Sequence, residues 1–333
     1  MNARSAQTAV VCLLGFMAQA RSAELPLPKD GWASWQVDAI ENSPAWCCWS
    51  SWNEEVAETS TCKLDGDRQG YGTRKHTTTD AVRIYARFAN GKIDKLRALA
   101  AACPVETKTP IQKLDNVTTD DSARWLVGLA KQHARPAEGH DFDEDVLAAL
   151  GMHRGAIALD ALSSLARTDT DVDTRQHAIF WLAQLRGIAG AEVVVDEMFN
   201  DKDPEVRKHA AFAITESKSP RISAELIRQG TTDPDSDVRA QSWFWLSQTA
   251  APIAEEAILA AVKKDQDDHV REQGIFALSQ LPDPRATKAL IAAAEDRSLS
   301  REQRKRALFW LAQSQNDSAV AYLDKVLTGS TAR

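Results

Sequence analysis

The sequence predicts a mainly α protein, an α-solenoid of stacked helix pairs preceded by a small β-rich N-terminal domain. Two observations carry this. A nine-residue block recurs five times between residues 174 and 311, at intervals of 32, 32, 32 and 33 residues. A fixed period in this range marks an array of supersecondary units, each stacked on the next. Upstream, five of the ten tryptophans (Trp32, Trp35, Trp46, Trp49, Trp52) and four of the five cysteines crowd into a stretch with strand-like alternation. At 333 residues the chain exceeds what one core usually fills, so two domains are expected. A hydrophobic fraction of 44 % with 26 % charged residues excludes a mostly disordered chain and a polytopic membrane protein. The net charge of −7 lacks the basic footprint of a nucleic-acid binder.

The chain opens on an address. Arg4 precedes an apolar run from Ala9 to Ala18, too short to span a bilayer, and Ala18-Gln19-Ala20 supplies the small-x-small pattern of signal-peptidase sites. Residues 1–20 read as a signal peptide cleaved after Ala20, with Ala23 as the second choice. No later stretch approaches a membrane helix, so the mature protein is expected to be periplasmic or secreted. Export removes Cys12 and leaves Cys47, Cys48, Cys62 and Cys103. Four cysteines in an oxidising compartment read most simply as two disulfides. A Cys47–Cys48 bridge would be strained, which favours each reaching separately to Cys62 and Cys103. A four-thiolate zinc site lacks its Cys-x-x-Cys knuckle, and no metal or other cofactor is expected.

Residues 24–106 form the β-rich, disulfide-bonded head. Val82 to Phe88 alternates apolar and polar, placing Val82, Ile84, Ala86 and Phe88 on one face. Asn90-Gly91 follows, the dipeptide best suited to a tight hairpin turn, and Lys92 to Ala100 is the returning strand. Trp32 to Val37 and Thr61 to Leu64 are weaker strands. The tryptophans around Cys47 and Cys48 either pack over the disulfides as core or form a carbohydrate-stacking surface. Residues 107–119, with Pro110 and no periodicity, read as a linker.

Residues 120–329 form the array. The five blocks begin at Thr174, Val206, Val238, Val270 and Gln303. Asp171, Asp203, Asp235 and Asp267 stand three residues before the first four, where a carboxylate caps a helix start, and Ser300 takes that place in the fifth. Pro204 fits the first helical position. Runs such as Ala251 to Lys263 and Asp283 to Ala294 supply the second helix of each unit.

The Asp-x-x-Val-Arg block, as in Asp203-Pro204-Glu205-Val206-Arg207, is similar to HEAT repeats of the phycobilisome-lyase-like kind. The Phe-Trp-Leu-(Ala/Ser)-Gln ending resembles a bacterial subset of that family. The cysteine-containing head resembles exported bacterial proteins that join such a domain to a HEAT tail. The resemblance spans about Asp120 to Leu327, with degenerate early units at Ser122 to Leu129 and Ala156 to Ala166. It implies ladders linking neighbouring repeats, built from Asp171, Asp203, Asp235 and Asp267 with Arg175, Arg207, Arg239, Arg271 and Arg304. The last unit has the Arg without the Asp.

At about 100° per residue, block positions one, five, eight and nine share the inter-helix face. Position seven lies off that face, yet it is Phe in all five units: Phe180, Phe212, Phe244, Phe276 and Phe309. This stripe either packs laterally between repeats or lines a surface for a partner. Gln184, Gln248, Gln280 and Gln313 follow four residues on and would give it a polar rim. His177 and His209 occupy equivalent positions, but no carboxylate completes a metal site by spacing. His140 to Asp145 lacks the Gly and Glu places of a calcium hand. There is no Gly-x-Ser-x-Gly elbow, phosphate loop or His-Glu-x-x-His. The expected role is a non-enzymatic exported scaffold that binds a protein partner. Its rivals are a ligand- or glycan-binding head with the array as spacer, and an enzyme or cofactor-attachment factor of the HEAT-like lyase kind.

Overall fold

The computed structural model describes residues 25–49, 59–66, 71–72, 77–132, 142–249, 251–314 and 316–328. The predicted signal peptide and Trp52 lie outside them. The head contains β1 (Gly31–Pro44), β2 (Cys47–Trp49), β3 (Thr59–Ser60), β4 (Cys62–Lys63), β5 (Tyr71–Gly72), β6 (Thr78–Ala89), β7 (Lys92–Ala100), β8 (Val105–Glu106) and β9 (Ile111–Lys113). A four-stranded sheet runs β7-β6-β1-β9. The β6–β7 hairpin turns at Asn90 and Gly91, with φ of 54° and 75°, the left-handed values a two-residue turn requires.

Period-two alternation gives this sheet two apolar faces. Trp32, Tyr85 and Leu99 lie on one, under Cys47, Cys48, Cys62, Cys103 and Leu64. Cys47 bonds Cys103 and Cys48 bonds Cys62, the separate pairing expected of adjacent cysteines whose side chains leave a strand on opposite sides. Asp65 anchors this layer, accepting hydrogen bonds from Trp32 Nε1 (2.9 Å), Thr107 Oγ1 (2.7 Å) and the Lys108 amide (2.6 Å).

The opposite face carries Trp35, Val37, Ile84, Ala86, Phe88 and Leu96, and it is continuous with the core of the helices. The head therefore shares a core with α1 (Thr119–Lys131) and α2 (Phe142–Met152). The segment read as a linker is built into this body. Ile111–Lys113 adds to the sheet as β9, parallel to β1 at Trp32–Ser34, and Thr118 caps α1 by accepting from the Asp121 amide. Pro110 and the missing periodicity hid a three-residue edge strand, a length too short to show alternation.

Trp35 Nε1 donates to Ser122 Oγ (2.7 Å), which stands 2.8 Å from His153 Nε2, and His153 Nδ1 stands 2.6 Å from the Ala149 carbonyl. All three side chains are buried. Burial, reinforced by Arg186 and opposed by the Ala149 hydrogen bond, pushes His153 down to about 4. The unfolded chain binds a proton near 6.5 that the folded chain refuses. Stability is thus full above that value and falls as pH drops toward 4, by about 2 kcal/mol between pH 7 and pH 5. His209 is pushed down in the same way and adds to the acid loss. Glu197, raised to about 7 by burial, acts in the opposite sense, its contribution being lost as pH rises from 4.5 to 7. The His153 share is isolated by comparing unfolding free energies of the native chain and His153→Gln across this range. The two curves should converge at low pH, and parallel curves would remove His153 from the account.

The array continues with α3 (Ala156–Thr168), α4 (Val172–Leu185), α5 (Gly187–Asn200), α6 (Pro204–Ala213), α7 (Ile222–Thr232), α8 (Ser236–Gln248), α9 (Ala254–Lys264), α10 (Asp268–Ser279), α11 (Arg285–Glu295), α12 (Arg301–Gln313) and α13 (Asp317–Leu327). The five blocks fall on α4, α6, α8, α10 and α12. Asp203, Asp235 and Asp267 accept from the amides of Glu205, Asp237 and His269, and Ser300 forms a capping box with Gln303. Each such cap contributes roughly 0.5–2 kcal/mol. Asp171 bonds the hydroxyl of Thr174 instead (3.0 Å). Positions five and nine are buried in every block, and position five is always small: Ala178, Ala210, Ser242, Gly274 and Ala307. A Cβ on Gly274 would stand 2.7 Å from Val262 Cγ2, so paired helices approach closely there.

Candidate functional site

Three of the five arginines, Arg175, Arg207 and Arg239, tie one repeat to the next, and their acid partners differ from those the family resemblance implied. Arg175 holds Asp201 through two hydrogen bonds (2.9 and 3.2 Å) and donates to the Asp169 carbonyl (3.0 Å). Arg207 repeats this with Asp233 and the Asp201 carbonyl, and Arg239 with Asp265 and the Asp233 carbonyl. The ladder carboxylate thus sits two residues before the capping one. Asp201, Asp233 and Asp265 also accept the amides of Asp203, Asp235 and Asp267 (2.8–2.9 Å). The two acids of each Asp-x-Asp loop divide the work: the first receives the guanidinium fork of the preceding repeat, the second starts the helix. The fork stops at Arg271, which bonds the Asp265 carbonyl and Asp268. The last interval is one residue longer and puts Arg297 where the acid would stand, while Asp296 pairs with Lys263 at 2.7 Å. Arg304 donates only to the Leu299 carbonyl among the described residues.

The Phe stripe lies on one edge of the array as part of a longer stack of rings. Phe180 stacks on Phe212 with centroids 6.0 Å apart, and Phe244 on Phe276 at 5.9 Å. Trp245 joins the two pairs, 4.9 Å from Phe212 and 5.0 Å from Phe244. Trp310 extends the stack from Phe276 (5.0 Å) to Phe309 (5.1 Å). At the other end Trp181 bridges Phe180 (4.9 Å) to Trp46 of the head (5.4 Å). The stack is therefore unbroken from Trp46 to Phe309. The rings pack between repeats, while Phe180, Phe212, Phe244 and Phe276 stay half-buried and Phe309 is 47 % exposed. Position eight, read as core, supplies the connecting indoles. It alternates Trp181, Ala213, Trp245, Ala277, Trp310, so large and small side chains interdigitate along the edge. That alternation is visible in the sequence and signals a two-repeat unit that the 32-residue period conceals.

Gln184, Gln248, Gln280 and Gln313 stand one helical turn beyond the Phe positions, Gln248 and Gln280 each donating to the preceding serine hydroxyl (3.1 and 3.0 Å). Gln248, Gln280 and Gln313 are exposed, and Gln184 is half-buried at the junction with the head. Two clefts, of about 670 and 400 Å³, open there and share Trp46 and Gln184. The first runs along Ile40–Asn42 of β1, and the second along Arg97 of β7 and α2. Trp46 is half-buried, whereas Trp32 and Trp35 are core. The sulfurs of Cys47, Cys62 and Cys103 cluster because two disulfides lie side by side. No helix among the described residues is long and apolar enough to cross a membrane.

The family model of HEAT repeats matches three overlapping stretches, residues 159–242, 191–276 and 224–303. No curated protein matches the chain. Solved structures similar to it include human deoxyhypusine hydroxylase (17 % identity, 60 % of this chain and 77 % of that one, TM-score 0.31). YibA of Escherichia coli shares 21 % identity over 63 % of this chain and 80 % of its own, with a TM-score of 0.36. The CpcE–CpcF phycocyanin lyase complex of a Nostoc species shares 17 % identity over 61 % and 80 %, with a TM-score of 0.28. At these identities and scores, none of the three carries an activity over to this chain. The repeated block, the arginine ladder and the family match agree: from α3 into α12 the chain is an array of HEAT repeats, and the protein is a HEAT-repeat protein.

Proposed function

We propose that the protein is a non-enzymatic, exported scaffold that docks a protein partner along the aromatic edge of its repeats. The observation that carries this reading is the ring stack from Trp46 to Phe309, buried at Trp181, partly exposed at its other rings and most exposed at Phe309, with Gln248, Gln280 and Gln313 flanking it. Aromatic rings set in a polar rim are the usual energetic centre of a protein interface, and solenoids offer extended surfaces of this kind. Two disulfides and the signal-like start of the chain support an oxidising compartment. The negative net charge argues against nucleic acid as the partner.

The test is affinity capture from envelope extract with the mature chain and with Phe309→Ser. Phe309 ends the stack and is the most exposed of its phenylalanines, so the variant should unfold within a few degrees of the native chain. A partner held by the native chain and lost by the folded variant and by Gln280→Ala/Gln313→Ala supports edge docking. Retention by both variants rejects it.

A further inference from the structure

We infer that the junction between head and array is a binding site for an uncharged, hydroxyl-rich ligand of the oligosaccharide class. Three independent features meet there. First, β1 leaves its register with β6 between the Asp38↔Ala81 and Ser43↔Thr79 pairs, so the Ala39–Asn42 segment bulges out of the sheet into the wall of the larger cleft. Bulges of this kind re-aim side chains and gather beside functional sites. Asn42 turns the bulge with a left-handed φ of 56°, a conformation asparagine adopts more readily than most side chains. The bulge is pinned from behind: the Arg154 amide donates to the Asp38 carbonyl (3.0 Å) and Arg154 Nε to the Ala39 carbonyl (2.9 Å).

Second, Trp46 and Gln184 belong to both clefts, so the two form one site folded around an indole and a carboxamide. At about 670 and 400 Å³ each lobe has the size of an ordinary small-molecule site. Trp181, 7 % exposed, lines the smaller lobe, and its Nε1 has no hydrogen-bond partner among the described residues.

Third, the charges in the walls balance, Glu41, Glu144 and Asp145 against Arg97, Arg186 and Lys218, and the two arginines are held by the protein. Arg97 donates to Asp145 (3.1 Å) and to the Leu96 carbonyl (2.7 Å). Arg186 spends its donors on the carbonyls of Gly151, His153 and Gly155. A charged ligand would gain no net attraction from walls whose charges cancel. An uncharged polyol needs none: its hydroxyls match the donor–acceptor amides of Asn42 and Gln184, and its C–H face matches the indole of Trp46.

The site shares Trp46 and Trp181 with the aromatic stack, so its test turns on Gln184, which the docking test leaves intact. The full-length mature chain is screened on an array of neutral and of sulfated or uronic-acid oligosaccharides, and the tightest trisaccharide is titrated by calorimetry. Binding of a neutral sugar that weakens at least about tenfold (1.4 kcal/mol) in Gln184→Ala, and is unchanged in the repeat-equivalent Gln280→Ala, supports the site. Trp46→Ala should abolish it. Because Trp46 also packs on Trp181, Gln184→Ala decides if Trp46→Ala is misfolded. No neutral sugar bound at millimolar concentration, a preference for charged sugars, or equal affinity in Gln184→Ala overturns the inference.

Discussion

Arg175→Met should lower the unfolding free energy by about 3–5 kcal/mol, because it strips a buried carboxylate of its counter-ion. The pair is closed to solvent, with side chains 2 % and 3 % exposed. Asp201 would keep the amide of Asp203 at one carboxylate oxygen but lose the guanidinium fork, and the Asp169 carbonyl would lose its guanidinium donor. The same substitution at Arg271 should cost under about 1 kcal/mol, since its acid partner Asp268 is 82 % exposed and surface pairs contribute little. Both are Arg-to-Met changes on block helices, so helix propensity and side-chain volume cancel in the comparison. Each fork joins one repeat to the next, which makes it an interface term in a nearest-neighbour array. Losing Arg175 should therefore uncouple α1–α4 from the later repeats and broaden the urea transition, whereas Arg271→Met should only shift it. Equal costs at the two positions would mean that the fork is an accessory of packing. A double-mutant cycle with Asp201→Asn separates the coupling from the cost of stranding either partner.

The array was legible because its geometry repeats: one residue type at one position, five times, leaves a period that needs no tertiary information. The caps at Asp203, Asp235, Asp267 and Ser300 were legible for the same reason, being local bonds between a side chain and amides two or three residues on. The acid partner of each arginine was not. It lies 26 residues away and competes with a second aspartate two places on, and only the folded loop shows which carboxylate faces the guanidinium. The hairpin at Asn90-Gly91 was readable from turn chemistry, whereas β9 was not, because its pairing with β1 is parallel and distant in sequence. The junction clefts were invisible for a further reason. They are made by the bulge at Ala39–Asn42 and Trp46 of the head and by Gln184 of the array, and sequence reasoning had placed head and array in separate domains.

Deleting the two disulfides separately should rank them by loop length, with Cys47→Ala/Cys103→Ala costing more than Cys48→Ala/Cys62→Ala. The bridges span 56 and 14 residues. Restriction of the unfolded chain then gives about 4 and about 3 kcal/mol in the chain-entropy account. Native packing pushes the order the same way. Cys103 follows the last residues of β7 and its bridge ties that sheet edge to β2, over the buried Trp32, Tyr85 and Leu99. Cys48–Cys62 joins short strands within the covering layer, which Asp65 also holds through Trp32, Thr107 and Lys108. The expected readout is a lower melting temperature for both variants, larger for the first, with helical circular dichroism retained below the transition. The reverse order would show that residual structure in the unfolded head, rather than loop closure, sets the value of each bridge. If the longer bridge is lost and the helices also melt early, the shared core of Trp35 and Ile84 with α1 and α2 is the route, because the sheet that supports those helices is itself held from its far side.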